Sequence, residues 1–180
     1  MKLIFKIHLS LAVLLIGFAA HAQSYQTQSG SITISGKYKG TAFSGVSKQL
    51  HVKFDYERSE MYMHLNIPAI VTNNDSLNDN LSTLVNENFI FKGKLNSNHV
   101  NTTAHAKLKG NVAGTITLNN LSKPFTFKTI LVHMPVGSVN CILTGDFIID
   151  LLDFKIPVSP GENKVKMTFQ QLILKRSNNS

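Results

Sequence analysis

Seven histidines, one cysteine and ten carboxylates are the side chains with which this chain of 180 residues could hold a metal or run acid–base or nucleophilic chemistry. Their spacing argues against all three. Past residue 22 the histidines are His51, His64, His99, His105 and His133, and none forms a His-Glu-x-x-His pair or another short metal spacing. His51 and His64 fall on the outward parity of alternating runs, and His99 and His105 flank a polar loop. Asp146, Asp150 and Asp153 are the one acidic cluster. Asp146 and Asp150 share the parity opposite the apolar positions, which reads as solvent-facing charge rather than a buried acid–base pair. Cys141 sits in the apolar run 139–143, where a buried, inert thiol is expected, since no positive group or histidine is near it in sequence. There is no Gly-x-Ser-x-Gly nucleophile elbow and no phosphate-cradling glycine loop. The expectation is a protein that is not an enzyme, with no catalytic residue, no metal and no cofactor.

The elements that would have to position any functional group read as strands. In GTITLNNLSKPFTF (Gly114–Phe127) and DFIIDLLDFKIP (Asp146–Pro157), apolar and polar residues alternate with a period of two and polar turns interrupt them. Leu50, Val52, Phe54 and Tyr56 alternate in the same way. The turn Glu57-Arg58-Ser59-Glu60 follows, then Met61, Met63, Leu65 and Ile67, so a hairpin is predicted. Gly36, Gly40 and Gly45 mark turns after the Ile32/Ile34 strand, and Asn119-Asn120 suits a tight turn because asparagine tolerates positive φ. Val165, Met167 and Phe169 alternate until the parity changes at Gln171, as a bulge would cause. Only Leu77, Leu81, Leu84 and Val85 have helical spacing, with Asp75 or Ser76 as the cap. About eight strands with one short helix predict an all-β sandwich or barrel.

The first residues read as an export signal: Lys2 and Lys6, an apolar run Leu9–Ala19, and a small-x-small site ending at Ala22. A leader over 1–22, cleaved after Ala22, and one domain over 23–180 are expected, with a periplasmic or secreted location. The formal charge of +8 falls to about +6 without the leader lysines, a balance that permits contact with an anionic membrane surface. Lys48, Lys53, Lys107, Lys109, Lys164 and Lys166 sit singly at alternating positions, and no basic cluster interleaves with aromatics, so nucleic acid is not an expected partner. With a lone cysteine, an exported domain must be stable through its core rather than an internal disulfide.

These segments resemble the YceI-like family of bacterial periplasmic and secreted proteins. Gly114, Ile116, Thr117 and Leu118 followed by Ser122-Lys123-Pro124-Phe125 match that family's strand, turn and Lys-Pro return. Phe147, Ile149, Asp150, Asp153, Phe154 and Ile156 resemble its Phe-x-Ile-Asp strand running into Asp-Phe-Gly-Ile, and Val165, Met167 and Phe169 its last strand. Asn119-Asn120 stand where the family has His-Gly, Lys155 where it has glycine, and the N-terminal strands read as abbreviated. The resemblance implies an antiparallel up-and-down, lipocalin-like β-barrel. It also implies a polyisoprenoid chain or other lipid held in the lumen, since some members hold one.

The resulting candidate lumen-lining residues are Val52, Phe54, Phe89, Phe91, Ile116, Leu118, Phe127, Phe147, Ile149, Met167 and Phe169. Enclosing a five-carbon isoprene unit would contribute roughly 3 kcal/mol before association costs, so several units suffice for micromolar binding without any polar group. The same phenylalanines would equally serve an exported structural or interaction barrel filled by its own side chains. Residue types alone leave these two readings open, together with the oligomeric state.

Overall fold

The computed structural model describes residues 24–97, 100, 107–134 and 140–176. The expected leader over 1–22, His99 and His105 lie outside the described residues. The described residues form nine strands: β1 (Ser24–Tyr38), β2 (Thr41–Asp55), β3 (Glu60–Asn66), β4 (Val71–Thr72), β5 (Asn88–Leu95), β6 (Leu108–Leu118), β7 (Leu121–Met134), β8 (Asn140–Asp150) and β9 (Lys164–Arg176). All pairings are antiparallel. Each strand but β4 pairs with its neighbours in chain order, and β1 pairs with both β2 and β9, so eight strands close into an up-and-down barrel. The two-residue β4 adds to β2 outside that ring. Closure leaves no unpaired edge around the ring.

The alternating pattern sets which side chains enter the barrel. Val52, Phe54, Met61, Met63, Leu65, Phe91, Ile116, Phe127, Phe147 and Phe169 are buried, while the lysines at 48, 53, 107, 109, 164 and 166 are exposed. The hairpin across residues 56–59 forms as expected, pairing Asp55 with Glu60. So does the turn at Asn119 and Asn120, at φ +49° and +57°. The parity change at Gln171 is a bulge: Leu143 faces Leu172 but Gly145 faces Phe169, leaving β9 one residue longer than β8 there.

Three local readings are corrected. Of the three glycines expected in turns, only Gly40 lies in one, while Gly36 and Gly45 are inside β1 and β2. Gly45 has another role: a Cβ there would come within 2.7 Å of Thr72, so its bare backbone lets β4 dock on β2. The N-terminal strands are not abbreviated, since β1 and β2 are each 15 residues long. Polar residues on the outer face hid the strand that buries Tyr25.

The one α-helix among the described residues, α1 (Asp75–Thr83), is capped by Asn74, whose side-chain oxygen accepts from the Leu77 amide at 3.0 Å, not by Asp75 or Ser76. A neighbouring net fixes the segment before it. The Asn78 side-chain oxygen accepts from the Thr72 amide and hydroxyl at 2.8 Å each, and its amide donates to the Thr72 carbonyl at 2.9 Å. The helix ends before Leu84. Val85 therefore leaves the apolar face that spacing gave it and stands 71% exposed.

Candidate apolar cavity at the barrel mouth

Several segments converge on the end of the barrel where β1 turns into β2. They are the β1–β2 turn, the 3₁₀ turn Ile67–Ala69, α1, the β6–β7 turn, and the segment between β8 and β9, which opens with the 3₁₀ turn Leu151–Phe154. Between them lies a cavity of about 870 Å³. Leu77, Leu81 and Leu84 line it from the helix side, Ile67 and Ile70 from the segment before the helix, and Leu151, Ile156, Pro157 and Val158 from the β8–β9 segment. The strands contribute Ile34, Phe43, Phe89, Leu118, Ile149, Val165 and Met167. Most of these side chains are apolar, the environment that takes up a hydrocarbon chain.

Polar groups lie at the rim and in its frame. Lys37, Lys39, Asn80, Thr83, Glu87, Asn119, Ser159 and Glu162 also line the cavity. Glu162 is buried, and its carboxylate accepts from the amides of Lys39, at 3.0 Å, and of Gly40. That clamps the β1–β2 turn, whose two central residues have positive φ. Asn80 donates to the Tyr38 hydroxyl, and Lys39 Nζ donates to Ser76 Oγ at 3.4 Å, tying α1 to the same turn. Asn119 donates to the Phe154 carbonyl at 2.9 Å, joining the β6–β7 turn to the β8–β9 segment.

The candidate lumen-lining residues divide into two sets. Phe89, Leu118, Ile149 and Met167 line the cavity. Val52, Phe54, Phe91, Ile116, Phe127, Phe147 and Phe169 are buried deeper and do not. The deeper rings pack on each other, with Phe127 5.0 Å from Phe147 and 5.1 Å from Phe91, centre to centre. Ile34, Phe43 and Val165 also line the cavity yet were not among the candidates, although Ile34 and Val165 share inward parity with Ile32 and Met167. The contributions of Ile67, Ile70 and the β8–β9 segment have no periodic signal, because they enter from loops.

The reactive side chains lie elsewhere. Cys141 does have a histidine beside it, contrary to the sequence reading: cross-strand pairing puts His133 Nδ1 3.3 Å from its sulfur. The Tyr56 hydroxyl also bonds the sulfur. Burial pushes the Cys141 thiol up, outweighing the opposite pull of Tyr56, so a thiolate is disfavoured. The residue sits near the start of β8, eight positions from Ile149, or about 26 Å along the strand from the cavity. His51 and His64 face each other on the outer surface of β2 and β3. Among the described residues, no group of three or more His, Cys, Asp or Glu side chains could hold a metal ion. Asp150 caps the 3₁₀ turn, accepting from the Leu152 amide at 3.1 Å and from Asn163 at 2.7 Å.

A family model for the YceI-like domain matches residues 18–172. The chain belongs to the YceI-like family. Solved structures share the YceI-like barrel at low sequence identity. A polyisoprenoid-binding domain from Saccharophagus degradans, implicated in plant cell wall breakdown, superposes with a TM-score of 0.64 at 12% identity, covering 87% of this chain and 99% of that one. BcnA of Burkholderia cenocepacia gives 0.56 at 15% identity, covering 81% and 94%. The YceI protein of Campylobacter jejuni gives 0.54 at 14% identity, covering 80% and 85%. No curated protein sequence matches the chain significantly. Lys155, where the motif resemblance has glycine, takes φ +55°, the left-handed conformation that favours glycine.

Proposed function

We propose that this chain is an exported, non-enzymatic binding protein that encloses a hydrophobic, chain-like ligand, a polyisoprenoid or another lipid, in the mouth cavity of its barrel. The observation that carries this reading is the cavity itself: about 870 Å³ ringed by leucine, isoleucine, valine, methionine and phenylalanine side chains. Each enclosed CH₂ contributes about 0.8 kcal/mol, so a few isoprene units offset the cost of association. The polar rim, with Lys37, Lys39 and Asn119, suits a head group left at the mouth while the chain is enclosed. The fold relative from Saccharophagus degradans, a polyisoprenoid-binding domain, supports the same ligand class. The proposed location is periplasmic or secreted, supported by the sequence pattern of residues 1–22, which reads as a leader cleaved after Ala22. Transient contact with a lipid surface is part of the proposal, because Leu84, which lines the cavity, is 41% exposed, and Leu152, next to the lining residue Leu151, is 57% exposed.

The packed phenylalanines favour a second reading for the deeper half of the barrel, a structural core filled by its own side chains. Native mass spectrometry of protein purified from its own host separates the two. A homogeneous apolar adduct is expected. Protein that emerges unliganded and ignores added isoprenoids and fatty acids would leave only the structural barrel.

A further inference from the structure

The cavity ends on a defined set of side chains, and the inward positions along the strands show where. On five strands the residue lining the cavity is followed, two positions deeper on the same inward face, by a buried one that does not line it. Ile34 gives way to Ile32, Phe89 to Phe91, Leu118 to Ile116, Ile149 to Phe147, and Met167 to Phe169. None of the deeper set is more than 6% exposed. Successive inward residues lie about 6.6 Å apart along a strand, so on each of these five strands lining gives way to filling within one inward step.

The boundary is closed by aromatic rings in mutual contact. Phe127 sits in their midst, with centre-to-centre distances of 5.1 Å to Phe91, 5.0 Å to Phe147 and 6.1 Å to Phe169. Phe147 also stacks under the cavity-lining Phe89 at 6.1 Å and 21°. Two glycines seat the rings. The Phe91 ring lies over Gly93, one inward position further from the mouth, and the Phe169 ring lies over Gly145, where an added Cβ would come within 2.7 Å of it. The rings therefore fill space that a side chain at either glycine would take.

Resting on the cavity as the ligand site, we infer that this phenylalanine layer is a chain-length stop: it sets the longest apolar chain the barrel encloses, and Phe147 is its principal specificity-determining residue. Below the limit each further isoprene unit meets apolar side chains; beyond it the next unit must remain in the mouth or displace packed rings.

The test uses a ladder of linear prenols of increasing length, with affinities read by native mass spectrometry and calorimetry on the wild-type chain. Affinity should climb steeply with length, by up to roughly 100-fold per fully enclosed unit, then level off. In Phe147→Ala the plateau should move to longer prenols by at least one unit. Because that change opens the core and can cost folding, Met167→Phe is the counterpart. It adds a ring above the stop, and the plateau should move to shorter prenols. A folded variant of either kind with an unchanged plateau overturns the stop, as does wild-type affinity that climbs without levelling to the longest prenol. Both of those results leave the cavity as the binding site. Failure of the wild type to take any prenol removes the cavity reading and the stop together.

Discussion

Lys155 holds a left-handed backbone at the end of the Leu151–Phe154 turn, where an L side chain with a Cβ is disfavoured by roughly 1 kcal/mol relative to glycine. Lys155→Gly should therefore be neutral to stabilising by up to about 1 kcal/mol, read as a higher urea midpoint at unchanged slope. Loss of stability would mean that the side chain contributes more than the backbone costs. The sequence showed this position as a departure from the family, but its φ is a property of the loop and could not be read there. His51 behaves differently. Burial, then the facing His64 and Lys53, hold its imidazole below the ordinary range. The unfolded chain, with a pKa of about 6.5, takes a proton first as pH falls. This group thus costs nothing above the unfolded value and costs stability as pH drops below it toward the folded pKa. His64→Gln removes one repulsion, so the His51 pKa should rise in an NMR titration; an unchanged or lower value would show that His64 does not hold it down.

Two elements explain why the barrel closes and where its mouth is framed. In the pair β5–β6, Gly93 faces Gly114, and a Cβ on Gly114 would overlap the Lys92 carbonyl oxygen and the Gly93 Cα. Gly114→Ala should cost about 1–3 kcal/mol through strand separation, seen as a lower thermal midpoint. An unaffected midpoint would show that the sheet relaxes there freely. The alternation around Gly114 revealed the strand, but the backbone contact is a long-range fact that no local pattern carries. The helix α1 is the converse case. Its leucines were legible from spacing, yet none of its residues is buried, and its cap is one residue earlier than expected because Asn74 has the extended backbone that Asp75 lacks. Asn74→Ala should cost about 1 kcal/mol and speed amide exchange in α1 before the barrel strands. Equal protection of helix and strands in both proteins would contradict the helix as the loosest wall of the cavity.

An eight-stranded closed barrel follows from period-two alternation between short turns, and most of that pattern was visible in the chain. What alternation could not do was divide the inward faces. Phe89 and Phe91 have the same residue type, parity and strand, yet one lines the cavity and the other lies in the filled half. The division depends on how far the mouth segments hold their side chains off the barrel and on where the phenylalanines meet, both set by contacts distant in sequence. Hence an open apolar lumen describes the mouth half of the barrel and a self-filled core the deeper half. The direct test is thermal unfolding of the leaderless protein with and without a saturating prenol that fits the cavity. A ligand that binds only the folded state at 100 times its Kd adds about 2.7 kcal/mol, which raises the midpoint by several degrees in a chain of this size. That increase, abolished when Leu118 and Ile149 are replaced by charged residues in a variant that still folds, is the result expected of a binding barrel. A midpoint unmoved by prenols, fatty acids and native lipid extract alike would contradict it.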